Sequence, residues 1–329
     1  MATDSPRGEL IYLPILRDGR NEREVMEEFS GLNRFGELRE GKPLYPLLEV
    51  TDTEDLQNLN AYRQAGDKLF IEFPEYLAGQ ENHSLKEEID ALLELYDGQN
   101  EFYREHADEI DAPVISGRPD GELLDSYERA KERFDEVAVR LLLSENRENG
   151  ELAGANEIGL EIAASDIVIF DLLDTANLDE GGYDHLDALG DIFSENCTVV
   201  ANALNVYEGE AYNWGPKIVN EYGFDGFGDF AVGGRYPPII PNLHEARKKY
   251  RQYGVGDFEI REFEGETYEE AVQELEAWER WQQNHCPSCQ QLGSREWECT
   301  SHMAKQARVG HYIHSVFEND LEWLAEQRD

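Results

Sequence analysis

A chain of 329 residues suits one large barrel with a small appendage better than two equal domains. Its 71 acidic residues against 29 basic ones give a formal charge of -42, and lysine appears only 8 times. Such a surface excludes sequence-independent clinging to DNA, which depends on cations displacing counterions; it points to a halophile's cytosolic protein, because molar salt shortens the Debye length to about 3 Å and screens the self-repulsion.

Residues 1–8 lack the basic start and apolar stretch of a leader, and no run approaches a bilayer-spanning length, so the expected compartment is the cytoplasm and no membrane partner is expected. Eight short apolar runs then alternate with polar, helix-patterned stretches, at 11–16, 44–50, 69–73, 113–116, 137–143, 167–173, 198–204 and 227–232. Runs such as 139–143, interrupted only by Arg140, suggest strands covered on both faces, as parallel sheets are. Thr51 with Glu54 and Ser84 with Glu87 read as capping boxes at helix starts. Eight tandem βα units, with no glycine-rich phosphate turn after the first strand, favour a TIM-like (β/α)8 barrel of the α/β class over an open doubly wound sheet. The glycines at 226, 228, 233 and 234 do not match a dinucleotide fingerprint and are expected to shape the last barrel loop.

Pro237, Pro238 and Pro241 mark a break, so the barrel is assigned to 1–240 and a C-terminal zinc-binding extension to 241–329. The extension opens with a basic patch at Arg247, Lys248, Lys249 and Arg251, followed by a short strand pair around 258–263. A third capping box, Thr267 with Glu270, starts a helix with the apolar stripe Val272, Leu275, Trp278 and Trp281. A final helix from about 309 to 326 carries Ile313, Phe317, Leu321 and Leu324 on one side, the face expected to pack on the barrel.

Between those helices lies the sharpest local motif, Cys286-Pro-Ser-Cys289, then Cys299-Thr-Ser-His302 after nine intervening residues. Two short-spaced pairs facing each other make the Cys3His tetrahedron that zinc favours, with a hairpin joining the knuckles over about 285–302. Cys286, Cys289, Cys299 and His302 are the expected ligands of a structural zinc, with His285 a competing nitrogen for the fourth place. A disulfide is disfavoured in a reducing cytosol. Cys197, at the start of the seventh strand, reads as a small buried residue.

In a barrel the side chains at the carboxyl ends of the strands converge on one mouth. Reading each run to its end gives Arg17, Glu49, Glu72, Arg140, Asp171, Asp174, Asn202, Asn205 and Asp229. A charge within an apolar run is costly to bury alone, so each should be paired. Arg17 and Arg140 among acids suit an anionic group such as phosphate, with Glu49, Glu72, Asp171 or Asp229 handling a proton. The alternative is a salt-bridge network that plugs the barrel. Glu49 and Glu72, at matching places on consecutive runs, also suggest a hard divalent cation at the mouth. His311 and His314 are three apart on the last helix, where a buried hydrogen-bonded pair is the commoner meaning and a site role the alternative. The chain contains no Walker A sequence, no G-x-S-x-G elbow and no H-E-x-x-H.

Tyr12-Leu-Pro14-Ile-Leu-Arg17 with Glu22, then Pro46-Leu-Leu-Glu49, Val139-Arg140-Leu, Phe227-Gly228-Asp229-Phe230 and Gly310-His311-Tyr312-Ile313 follow one another along nearly the whole chain. In that order they resemble the beta protein family, a group named for a phage protein and scattered through prokaryotic and phage genomes. The family pattern has Lys where this chain has Arg17, a tyrosine where it has Phe230, and a His-His pair where it has His311-Tyr312; the zinc cluster lies outside it. The resemblance implies a role in phage defence or phage–host conflict and one site formed by Arg17, Glu22, Glu49, Arg140, Asp229 and His311. Two readings follow: a barrel whose mouth binds an anionic nucleotide or nucleic-acid ligand, with phosphodiester-type hydrolysis as one form, or a non-catalytic zinc-containing adaptor that contacts a partner protein or, locally, a nucleic acid.

Overall fold

The computed structural model describes residues 9–31, 42–78, 85–143, 149–172, 180–202, 204–207, 210–230, 248–254, 258–294 and 301–328. Eight parallel strands close into a barrel: β1 (Ile11–Arg17), β2 (Leu47–Glu49), β3 (Phe70–Glu72), β4 (Ala112–Gly117), β5 (Ala138–Leu142), β6 (Ile167–Asp171), β7 (Cys197–Ala201) and, closing against β1, β10 (Gly226–Asp229). All eight expected runs supply a barrel strand, so the TIM-like barrel is the observed fold. Leu44, expected within the second strand, makes only an isolated bridge to Tyr12.

Alternation along each strand separates two apolar sets. Ile11, Leu13, Ile15, Leu47, Phe70, Val114, Ile169 and Val199 fill the barrel interior. Tyr12, Leu16, Leu48, Ile71, Ile115, Val139, Phe170 and Val200 face the surrounding helices. Both sets are buried, which is why the strands read as unbroken apolar runs. Burying each such side chain contributes about 1.5–3 kcal/mol. Around the barrel lie α1 (Arg20–Gly31), α2 (Leu59–Ala65), α3 (Lys86–Leu95), α4 (Gln99–Glu105), α5 (Gly121–Lys131), α6 (Asn149–Gly159), α7 (Glu180–Ile192) and α8 (Gly215–Tyr222).

Local chemistry sets several of these ends. Asp120 caps α5 through the amides of Glu122 and Leu123. The cap expected at Thr51 falls one residue later, because Asp52 accepts from the Glu54 amide while Asp55 reaches back to the Asp52 and Thr51 amides. Ser84 lies outside the described residues. Gly226 and Gly228 belong to β10 rather than to a loop: a Cβ at either would collide with the carbonyl oxygen of Ile11 or Leu13 on β1, so glycine there permits barrel closure. Gly233 and Gly234 lie outside the described residues.

The chain leaves the barrel at Asn202, whose left-handed backbone (φ 58°) is one that asparagine tolerates. The seventh strand thus ends at Ala201 rather than at the expected Leu204, and the chain goes on to form β8 (Leu204–Tyr207) and β9 (Glu210–Asn213). These join β11 (Lys248–Tyr253) and β12 (Glu259–Gly265) in an antiparallel sheet of order β11-β12-β9-β8. The second sheet therefore takes two strands from before residue 240 and two from after it. Thr267 caps α9 (Tyr268–Glu276) as expected, accepting from the Glu270 amide. Val272, Leu275 and Trp278 are buried together, with Trp281 packed against them. Then come α10 (Pro287–Ser294), α11 (Ser301–Ser315), a π turn (Val316–Asp320) and α12 (Leu321–Arg328), so the final helix is longer than expected and interrupted. Ile313, Phe317, Leu321 and Leu324 join the outer barrel core, fixing this helix on the barrel. Among the described residues no helix is long and apolar enough to cross a membrane.

Candidate functional site

Inward positions toward the carboxyl ends of five barrel strands form one charged layer. Period-two alternation carries Arg17, Glu49, Glu72, Arg140 and Asp171 inward above the apolar filling, and register aligns Arg17 with Glu49 and Glu49 with Glu72. Arg140 stands at its centre. Its Nη1 donates to Glu49 Oε1 at 3.1 Å and to Glu72 Oε2, and its Nε donates to Asp171 Oδ2 at 2.8 Å. Asn202 Nδ2 donates to the other Asp171 oxygen at 3.0 Å. Arg17 Nε donates to Glu49 Oε2 at 2.8 Å, and Tyr76 donates to Glu49 Oε1. Two rings flank the guanidiniums, Phe230 at 4.7 Å from Arg17 and Tyr76 at 5.0 Å from Arg140.

Burial disfavours the charge on Arg140, yet the carboxylates of Glu72 and Asp171 hold its pKa well above the usual value. Glu72 goes the other way. Burial, helped by the Glu49 charge and opposed by Arg140, raises its pKa to about 7, so it can exchange a proton near neutrality. The place expected for a divalent ion, between Glu49 and Glu72, is taken by the Arg140 guanidinium. Arg140 is fully buried, whereas the Arg17 side chain is 16% exposed. Of the two arginines named for an anion, only Arg17 therefore reaches toward solvent.

Other expected members of this site lie elsewhere. Asp229 falls on the outward face of β10, where Tyr12 donates to Oδ1 at 3.2 Å and Asn213 and Tyr312 donate to Oδ2 at 3.0 and 2.6 Å. It ties β1, β9 and α11 together. Burial first, and the Asp229 charge second, raise the pKa of Tyr12 and Tyr312 well above the usual phenol range. Glu22 sits in the first turn of α1 beside Gly19. Asp174 lies outside the described residues, as does the Asn205 side chain. Residues the charge pattern did not single out complete the mouth. Gln99 brackets the Ser116 backbone, accepting from its amide at 3.2 Å and donating to its carbonyl at 3.3 Å. Tyr76, Gln99, Ser116, Gly117 and Arg118 line a cleft of about 380 Å³ beside the charged layer. Ser116 was legible as the inward neighbour of Arg140; Tyr76 and Gln99 follow strand or helix ends and had no such signal.

His311, expected at the mouth, turns instead to the cysteines. Its Nδ1 lies 3.6 Å from Cys286 Sγ and 3.1 Å from Cys289 Sγ. Its Nε2 lies 2.9 Å from the Tyr253 carbonyl, which can only accept, so Nε2 carries the proton and Nδ1 offers a lone pair to the sulfurs. The Cys289 amide donates to Cys286 Sγ at 3.3 Å and Gln252 donates to Cys289 Sγ at 3.8 Å. In the metal-free pair the Cys289 thiol, against burial and with help from His311, holds the Cys286 pKa down to about 3, and Cys289 is pushed up in return. Zinc–sulfur bonds of about 2.3 Å and zinc–nitrogen bonds of about 2.0 Å place tetrahedral neighbours about 3.5 Å apart, and the observed separations bracket that value. Two thiolates and an imidazole are the donor set of such an ion, and the buried Cys286, Cys289 and His311 can hold one. Cys299 and the side chain of His302 lie outside the described residues. His285 faces away from the pair, toward Glu318 and Ser315. Cys197 is buried in the barrel interior, as expected.

No family model and no curated protein matches the chain. Among solved structures, the carboxyl transferase domain of Rhizobium etli pyruvate carboxylase with 3-bromopyruvate is similar at TM-score 0.42 and 11% identity, covering 96% of this chain and 48% of that one. The chain thus spans about half the length of that structure.

Proposed function

We propose that this barrel binds a small anionic ligand, nucleotide-like or a nucleic-acid end, at its C-terminal mouth, and that it serves phage defence in a high-salt cytoplasm as a relative of the beta protein family. The observation that carries the reading is the cleft beside the charged layer, because ligands of such barrels gather at the C-terminal ends of the strands. Arg118 lines the cleft together with the acids Glu75, Asp97, Asp120 and Glu122, Tyr76 gives it an aromatic wall, and the adjoining layer holds Arg17 as a second cation and the buried Glu72, a carboxyl that gains or loses a proton near pH 7. The ordered motifs along the chain support the family relation.

Thermal-shift titration in molar KCl with nucleotides and inorganic phosphate tests this. A ligand at a hundredfold excess over its Kd adds about 2.7 kcal/mol of stability. The expected result is such a stabilisation in the wild type, weakened in Arg118→Ala and in Arg17→Met. No stabilisation by any of these probes, or one indifferent to both substitutions, overturns the reading.

The adaptor reading is favoured by one observation, the complete burial of Glu49, Glu72, Arg140 and Asp171, as in a plug that only stabilises the barrel. Its contact surface would be the metal corner and β11, the edge strand that carries Lys248, Lys249 and Arg251. Lysines on an edge strand also simply discourage edge-to-edge pairing. Capture of the same partner by wild type and Cys286→Ser would count against the adaptor.

A further inference from the structure

Beside the cysteine corner the same helix presents a second set of ligand atoms. His285 Nδ1 lies 3.1 Å and His314 Nδ1 lies 3.4 Å from one oxygen, Glu318 Oε2, and all three ligand atoms fall within 4.8 Å of one another. We propose that His285, His314 and Glu318 hold a divalent metal ion of their own, separate from the ion of Cys286, Cys289 and His311.

Bonds of about 2.0–2.2 Å from such an ion to nitrogen and oxygen set neighbouring ligands about 3.0 Å apart at octahedral corners and about 3.4 Å apart at tetrahedral ones. The two observed separations fall at these values. Both imidazole side chains are 5% exposed, so their ligand nitrogens are held in place by packing. Ser315 Oγ lies 3.0 Å from His285 Nε2 and can accept a hydrogen bond from it, the arrangement in which Nδ1 presents a lone pair toward Glu318. The same hydroxyl lies 3.3 Å from His311 Nε2, so one serine braces a ligand of each site. Glu318 sits in the π turn, an irregularity that recurs where a helix must aim a functional side chain. Its side chain is 34% exposed as a whole, while the ligand oxygen Oε2 is buried with the imidazoles. Two imidazoles and one carboxylate suit iron(II), manganese or zinc; the thiolate pair next door suits zinc. The alternative is a histidine–carboxylate cluster held by hydrogen bonds alone, without metal.

Equilibrium dialysis of the full chain against Zn2+ or Co2+ in molar KCl, followed by elemental analysis, separates the two. The wild type should bind two equivalents. Glu318→Gln and, separately, His314→Gln should bind one and keep the near-ultraviolet thiolate-to-cobalt absorption. Cys286→Ser should lose that absorption and keep one equivalent. Melting curves without metal identify any variant that fails to fold, and the wild-type stoichiometry needs no variant. One equivalent in the wild type, or two retained in both Glu318→Gln and His314→Gln, overturns the proposal.

Discussion

The barrel mouth and the cysteine corner are both buried polar clusters, yet they balance their charges differently. At the mouth, Arg140 donates to three carboxylates and Arg17 to one of them, so cation and anions meet inside the protein. In the corner, amide N–H groups from Cys289 and Gln252 point at two sulfurs that also face a lone pair on His311, and no side-chain cation is among these partners. A cluster holding both signs closes on itself. One made of acceptors calls for an ion from outside.

Breaking the mouth at its centre should have the largest effect. Arg140→Met leaves Glu49, Glu72 and Asp171 buried without their cation, and unfolding by urea in molar KCl should show a loss of about 3–5 kcal/mol. An unchanged midpoint would mean that these carboxylates are neutral in the folded protein. Chelation tests the corner: removing an ion present at a thousandfold excess over its Kd should cost about 4 kcal/mol, so the loss on chelation should be smaller by about that amount in a folded Cys286→Ser form than in the wild type. Equal losses in both would place the chelated ion elsewhere.

The pH dependence sharpens the picture of the mouth. Glu72 has a folded pKa of about 7, above the unfolded value near 4.5, so its folded state holds the extra proton between those values. Its contribution to stability is fully present below about pH 4.5 and is lost as pH rises through about 7, on the order of 3 kcal/mol at about 1.4 kcal/mol per unit. Glu72→Gln should flatten that decline in melting curves taken from pH 5 to pH 8; an identical decline in the variant would assign it to another group. The smallest effect is expected where barrel and extension meet. Tyr312→Phe removes one of three donors to Asp229 and should cost about 1–2 kcal/mol in chemical denaturation.

The barrel strands were legible because a strand buried on both faces must be apolar throughout, and Val139-Arg140-Leu141 shows how conspicuous one charge in such a run is. Parity along β2, β3, β5 and β6 was enough to align Glu49, Glu72, Arg140 and Asp171. It failed for Asp229, since Gly226-Phe227-Gly228-Asp229 carries two glycines that mark neither face, and only the collision of their absent Cβ atoms with β1 reveals why they are there. The zinc motif was legible at Cys286 and Cys289, whose spacing brings two sulfurs together locally. The imidazole beside them was not, because His311 meets the sulfurs only through the packing of α11 on α10, while Cys299 and the His302 side chain lie outside the described residues.

The sequence by itself determined the barrel, its inward charges and the two-cysteine knuckle, all of which depend on neighbours a few residues apart and on the period of a strand or turn. Only the tertiary structure decided that Arg140 fills the place of a mouth cation, that Asp229 looks outward, and that His311 joins the cysteines while His314 and Glu318 meet His285. Those pairings join residues as many as 217 positions apart, and their geometry is set by how strands close and helices pack. No local spacing encodes that.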